Sequence, residues 1–187
     1  MPKIQSLSKT NSQYEAVINQ AREIFVLKTK DYGTAWRILR PSSLTDQIFI
    51  KASRIRSIQE KKEMQINESI EGEFLAIVNY CVMALIQLSH SVQEENYNMD
   101  HETLFGMYDQ YVADTKALME KKNHDYGEAW RDMRISSMTD LILMKLLRIK
   151  QIEENEGKTI ISEGLDANYQ DILNYAVFAL IKKSELK

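Results

Sequence analysis

Asp31-Tyr-Gly-Thr-Ala-Trp-Arg37 returns 94 positions later as Asp125-Tyr-Gly-Glu-Ala-Trp-Arg131. The register continues well past the heptapeptide. Ser42-Ser43 meets Ser136-Ser137, Thr45-Asp46 meets Thr139-Asp140, Lys51 meets Lys145, and Arg54-Ile55 meets Arg148-Ile149. One extra residue in the second copy then moves the offset to 95, at which Glu68/Glu163, Ile77/Ile172, Asn79-Tyr80/Asn174-Tyr175 and Ala84/Ala179 align. Charged residues recur along with the hydrophobic frame, so the chain is two copies of one module, residues 1–95 and 96–187.

The period within each copy is helical. Two prolines and six glycines in 187 residues leave few breaks, and alternating β-branched runs are missing. Tyr14, Val17, Ile18, Ala21, Ile24 and Phe25 share one face, and Tyr108, Tyr111, Val112, Thr115, Leu118 and Met119 repeat it. This first helix is expected to stop at Gly33 or Gly127, where glycine takes a left-handed cap. Ser43 and Ser137, each followed three residues later by an aspartate, read as capped starts of a second helix. A third is expected from about Glu68 or Glu163, with Ile77, Tyr80, Ala84 and Leu85 (Ile172, Tyr175, Ala179 and Leu180) inward. Ser91 to Glu102 reads as the linker. The expected fold is all-α, a helical bundle of two tandem, pseudo-twofold-related three-helix modules.

Composition excludes several functions. A net charge of −3 argues against a surface built to coat nucleic acid. Three scattered histidines and one cysteine argue against zinc and disulfides. No signal-like core opens the chain, and no run reads as the ~20 apolar residues of a membrane span. A cytoplasmic protein is expected, with no membrane partner and no direct nucleic acid binding.

Three groups of residues carry candidate chemistry. Lys145 and Arg148, three apart on an apolar helix, repeat the pair Lys51 and Arg54. Either their stems pack while the heads reach solvent or an acid, or the pair binds an anion such as phosphate. Glu163, Asp171 and Asn174 lie at i, i+8 and i+11, with Asp166 one turn from Glu163. Such carboxylates repel unless a cation lies among them, and oxygen ligands suit Mg²⁺ or Mn²⁺. The other readings are a helix-dipole acid at Glu163, pairing of Asp171 with Lys145 or Arg148, and a core role for Asn174. Ala76 stands where the second copy has Asp171, so that copy holds the fuller acidic set. Lastly, Lys28 and Asp31, or Lys122 and Asp125, flank an aromatic turn. It reads either as a ligand rim, with Tyr126 or Trp130 against a base, or as a helix end buttressed by an ion pair.

These residues also carry a resemblance. Lys122-Asn123-x-Asp125-Tyr-Gly-x-Ala-Trp130, Lys145-x-x-Arg148, and Glu163 followed by Asp171-Ile-x-Asn174-Tyr175 are similar to the nucleotide modification associated domain 1 family. The first copy matches through Lys28, Asp31 to Trp36, Lys51, Arg54, Glu68-Ser69 and Asn79-Tyr80. More distantly, the helical pattern resembles MazG-like all-α nucleoside triphosphate pyrophosphohydrolases, although their Glu-Glu-x-x-Glu run is absent from helix one. The resemblance implies a metal-dependent (d)NTP pyrophosphohydrolase-like protein. In it Glu163, Asp166 and Asp171 hold Mg²⁺, while Lys122, Asp125, Tyr126, Trp130, Lys145, Arg148 and Asn174, with Lys28, Asp31, Lys51 and Arg54, bind the nucleotide. The alternative is a non-catalytic nucleotide-binding accessory or structural helical protein. A small-molecule nucleotide is the expected partner, and a homodimer a further one.

Overall fold

The computed structural model describes residues 2–61, 69–90 and 97–186, with side chains from Lys9 onward. Six helices follow one another: α1 (Pro2–Tyr32), α2 (Pro41–Lys61), α3 (Ile70–Ser89), α4 (His101–Tyr126), α5 (Ile135–Glu154) and α6 (Leu165–Glu185). Short 3-10 turns at Ala35–Ile38 and Ala129–Asp132 link α1 to α2 and α4 to α5. No strand occurs among the described residues. The fold is the expected all-α bundle of two repeated three-helix units.

The helices stack as three antiparallel pairs, each holding one helix from either copy. The central pair is α3 with α6, which contact each other and the helices of both other pairs. Their sequences dictate that place. On α3 a broad apolar face of Phe74, Ile77, Val78, Cys81, Val82, Leu85 and Ile86 is buried, with Glu73, Asn79, Ala84 and Gln87 buried around the rest; on α6 Ile172, Leu173, Ala176, Val177, Phe178, Leu180 and Ile181 are buried over most of the circumference. A helix apolar over most of its circumference must be covered over most of it. For the same reason α3 is long and apolar enough to cross a membrane by length and composition, contrary to the sequence expectation, but 61% of that window is buried inside the protein.

On one side α1 pairs with α4: Asn11 bonds Glu120 at 2.9 Å, Lys116 meets Glu15 at 2.5 Å, and Arg22 meets Asp109 at 2.6 Å. On the other, α2 pairs with α5 through Thr45–Glu153 at 2.8 Å and Gln59–Thr139 at 3.1 Å. In each pair the numbers rise on one helix as they fall on the other. The last two bonds are one contact repeated through the pseudo-twofold axis, with Glu153 in the place of Gln59. The axis recurs in the core. Tyr14 donates its hydroxyl to Asn174 at 2.8 Å, and Tyr108 donates to Asn79 at 2.8 Å. Each tyrosine satisfies an amide of the opposite copy, and burial pushes both phenols well above their ordinary pKa. One hydrophobic core runs through both copies.

The ends of the helices differ from expectation. Ser43 and Ser137 cap nothing. α2 begins at Pro41 and α5 at Ile135, and no side chain caps α5. Proline is already preorganised for a first helical position. Thr45 and Thr139 instead bond back to the carbonyls of Pro41 and Ile135, at 3.2 and 3.3 Å. Ser69 is the cap of α3, accepting from the Gly72 N–H at 3.0 Å. α6 begins at Leu165, so Glu163 precedes the helix rather than sitting in its first turn. α4 begins at His101, inside the expected linker. Glu68, most of the polar stretch 60–67, and residues 91–96 lie outside the described residues.

Candidate functional site

α4 ends where the sequence requires. Gly127, at φ 62°, donates its N–H to the Asn123 carbonyl at 2.9 Å, and Gly33, at φ 63°, does the same to Thr29 at 2.8 Å. The reversal turns the following tryptophan back onto the third helix of its own copy. Trp130 stacks on Phe178 of α6 with centroids 4.2 Å apart and planes at 4°, and the Arg131 guanidinium lies 4.4 Å from the ring centre. A cavity of about 320 Å³ opens beside this stack, lined by Lys122, Tyr126, Trp130, Asp171, Asn174 and Tyr175 among others. Tyr126 is 74% exposed and forms its rim.

One charged cluster separates this cavity from a second. Asp171 is buried, and each of its oxygens accepts from an ammonium: Lys122 from α4 at 2.6 Å and Lys145 from α5 at 2.7 Å. Burial is the largest single influence on Lys122 and opposes its charge, but the bond to Asp171 together with the charges of Asp171 and Glu163 raises the lysine pKa on balance. Burial, then the Asp171 charge, raises the Tyr175 phenol. Across Lys145 lies an open trough of about 660 Å³, lined by Lys145, Arg148, Lys158, Ile160, Glu163 and Asn168 among others. Arg148 has no ion pair or hydrogen bond among the described residues. The Lys145–Asp171 pair therefore links the two spaces, Asp171 lining the aromatic cavity and Lys145 the trough.

The acids do not gather as expected. Glu163 and Asp166 are exposed at the start of α6, while Asp171 is committed to two lysines. Among the described residues, no group of three His, Cys, Asp or Glu side chains is placed to hold a metal ion. The two ammonium groups supply the positive charge that Mg²⁺ was expected to bring, so the three-carboxylate set does not fit that ion. Asn174 is committed as well, accepting from Tyr14 and donating to the Thr115 carbonyl at 3.4 Å. Asp31 and Asp125 are exposed and line neither aromatic cavity; Asp125 meets only its neighbour His124, at 3.1 Å.

The first copy repeats the plan with one displacement. Lys51 and Arg54 converge on Glu73 of α3, which is buried. Arg54 bonds one carboxylate oxygen, and Lys51 lies 3.2 Å from the other as an ion pair without hydrogen-bond alignment. Glu73 escaped the sequence comparison because its counterpart is Asn168, and the counterpart of Asp171 is Ala76. A carboxylate one turn before the alanine was the available signal. A smaller cavity, about 220 Å³, lies between Lys28, Tyr32, Trp36, Ala76 and Tyr80. Lys28 and Tyr32 are exposed at its mouth.

A family model described as nucleotide modification associated domain 1 matches residues 28–88 and again residues 122–182. The chain belongs to that family. No curated protein and no solved structure matches it, and a relation to MazG-like enzymes is not shown. In this nucleotide modification associated domain 1 protein, each matched segment opens on the lysine at its cavity mouth, Lys28 or Lys122. Each runs through the aromatic turn and the cation-bearing helix to the end of the cavity-lining third helix. The matched unit thus contains most of one aromatic cavity and one clamped carboxylate per copy.

Proposed function

We propose that the second copy binds a nucleotide without hydrolysing it, in the manner of an accessory or sensor protein for nucleotide modification. The base enters the aromatic cavity against Tyr126, Trp130 and Tyr175. The phosphates cross the Lys122–Asp171–Lys145 cluster into the trough, toward Arg148 and Lys158. The observation that carries this reading is the junction itself: rings on one side of Asp171 and cations on the other, the order in which a nucleotide presents its parts. Asp171 is held by two lysines, so no hydrolytic role is assigned to it. Mg²⁺ belongs to the reading only as the counter-ion that a triphosphate brings.

Calorimetry with a panel of nucleoside and deoxynucleoside triphosphates tests it. Binding is expected, weakened roughly tenfold or more by Tyr126→Ala, the scale of one base–aromatic stack. Arg148→Ala should weaken triphosphates more than nucleosides. Absence of binding across the panel would falsify the reading. Release of pyrophosphate on incubation with Mg²⁺ would replace it with the hydrolase.

A further inference from the structure

We infer that the first copy carries a second ligand site of different chemistry: a nucleobase-sized ring bearing a single anionic group, the chemistry of a nucleoside monophosphate. It adopts the ring class from the reading of the second copy, but stands on its own residues.

The two copies have the same basic residues and a carboxylate in different places. In the second copy Asp171 engages Lys122 and Lys145, which leaves Arg148, on the trough, without an ion pair among the described residues. In the first copy Glu73 lies one turn earlier and engages Lys51 and Arg54. Ala76 then offers no charge to Lys28, the counterpart of Lys122. Among the described residues Lys28 has neither ion pair nor hydrogen bond. Among the described residues the cation without an ion pair therefore sits at the mouth of the aromatic cavity, not across the cluster from it.

The cavity is otherwise a ring site. Tyr32, 75% exposed, stands at its rim as Tyr126 does in the second copy. Trp36 and Tyr80 line it. At about 220 Å³ the space is below the range of about 300–1,000 Å³ usual for ligand pockets. It suits a ring, with the charged group left at the mouth beside Lys28. No second uncompensated cation lines it, so further phosphates gain nothing.

The chain's two tryptophans, Trp36 and Trp130, lie one in each cavity, so each site has its own reporter. Indole ¹⁵N–¹H signals of the full-length protein, assigned with Trp130→Phe, are followed while nucleosides, monophosphates and triphosphates are added. The Trp36 signal is expected to move with monophosphates and triphosphates at similar concentrations, and with uncharged nucleosides only at roughly fivefold higher ones, the scale of one solvent-screened charge pair. Lys28→Met, at an exposed position, should erase that preference. Ala76→Asp, which gives Lys28 an acid, should erase it too. A Trp36 signal unmoved by monophosphates overturns the inference, and so does an unchanged preference in Lys28→Met. The Trp130 signal reports the second copy separately, so failure there leaves this site standing.

Discussion

Asp171 holds two ammonium groups in a largely buried setting, and its loss strands both. Asp171→Asn is expected to destabilise the fold by about 3 kcal/mol, the range for removing one partner of a buried ion pair. Urea denaturation should show a lower midpoint at unchanged slope. Adding Lys145→Met should cost clearly less than the two single changes summed, because the second removal relieves the first. Glu153 gives the opposite sign. Burial raises its pKa, only partly offset by the hydrogen bond from Thr45. A carboxyl with a raised folded pKa contributes stability below its unfolded pKa, and that contribution is lost as pH rises through the folded value. Glu153→Gln, which copies Gln59 at the symmetric contact, should therefore stabilise the protein modestly at pH 7. The gain should vanish in acid, where Glu153 is protonated in both states. Melting temperatures across pH check both halves of that expectation. Lys145 was one of two partners the sequence offered Asp171, whereas the bond to Lys122 was not among them. The sequence places Lys145 and Asp171 on known helices, but only the packing of α5 and α4 on α6 decides which cations meet the acid.

At the level of helices, the turns after α1 and α4 each pivot on a left-handed glycine, followed after α4 by a left-handed Glu128. A Cβ at Gly127 would meet nothing within 4 Å, so Gly127→Ala tests backbone conformation without a clash. A loss of about 1 kcal/mol is expected, the cost of a left-handed residue with a side chain, and thermal unfolding measures it. These turns were legible in advance, since Tyr-Gly ends the apolar stripe in both copies. So were the helical period and the count of three helices per copy. The starts of α2 and α5 were not, because serine and aspartate at capping distance carry the same signature whether or not a proline or a tertiary contact begins the helix earlier. The metal set failed for a related reason. Glu163 and Asp171, eight residues apart, would share a flank of one continuous helix, yet Glu163 falls before α6 begins and so leaves that flank.

Over the whole molecule the copies are repeats without being independent. Tyr14 and Tyr108 bond amides of the opposite copy, and every layer of the bundle takes one helix from each. Residues 1–95 or 96–187 produced alone are expected to lack cooperative unfolding, and mixing them should restore the circular dichroism and the melting transition of the intact chain. A folded, cooperatively melting single half would contradict the shared core. The duplication itself was plain in the sequence, whereas the crossing of partners was not, because an aligned pair of copies looks the same whether each folds on itself or on its twin. One local difference between the twins reaches further than its size. Glu73 and Asp171 are three residues out of step, about 4.5 Å along a helix, and both stay on the flank that faces the cations. A duplicated bundle can thus diverge in selectivity by letting one acid hop a single turn. Under the binding reading proposed above, such a hop would redirect attraction from the ring end of a guest toward its polyphosphate tail while the scaffold stays the same.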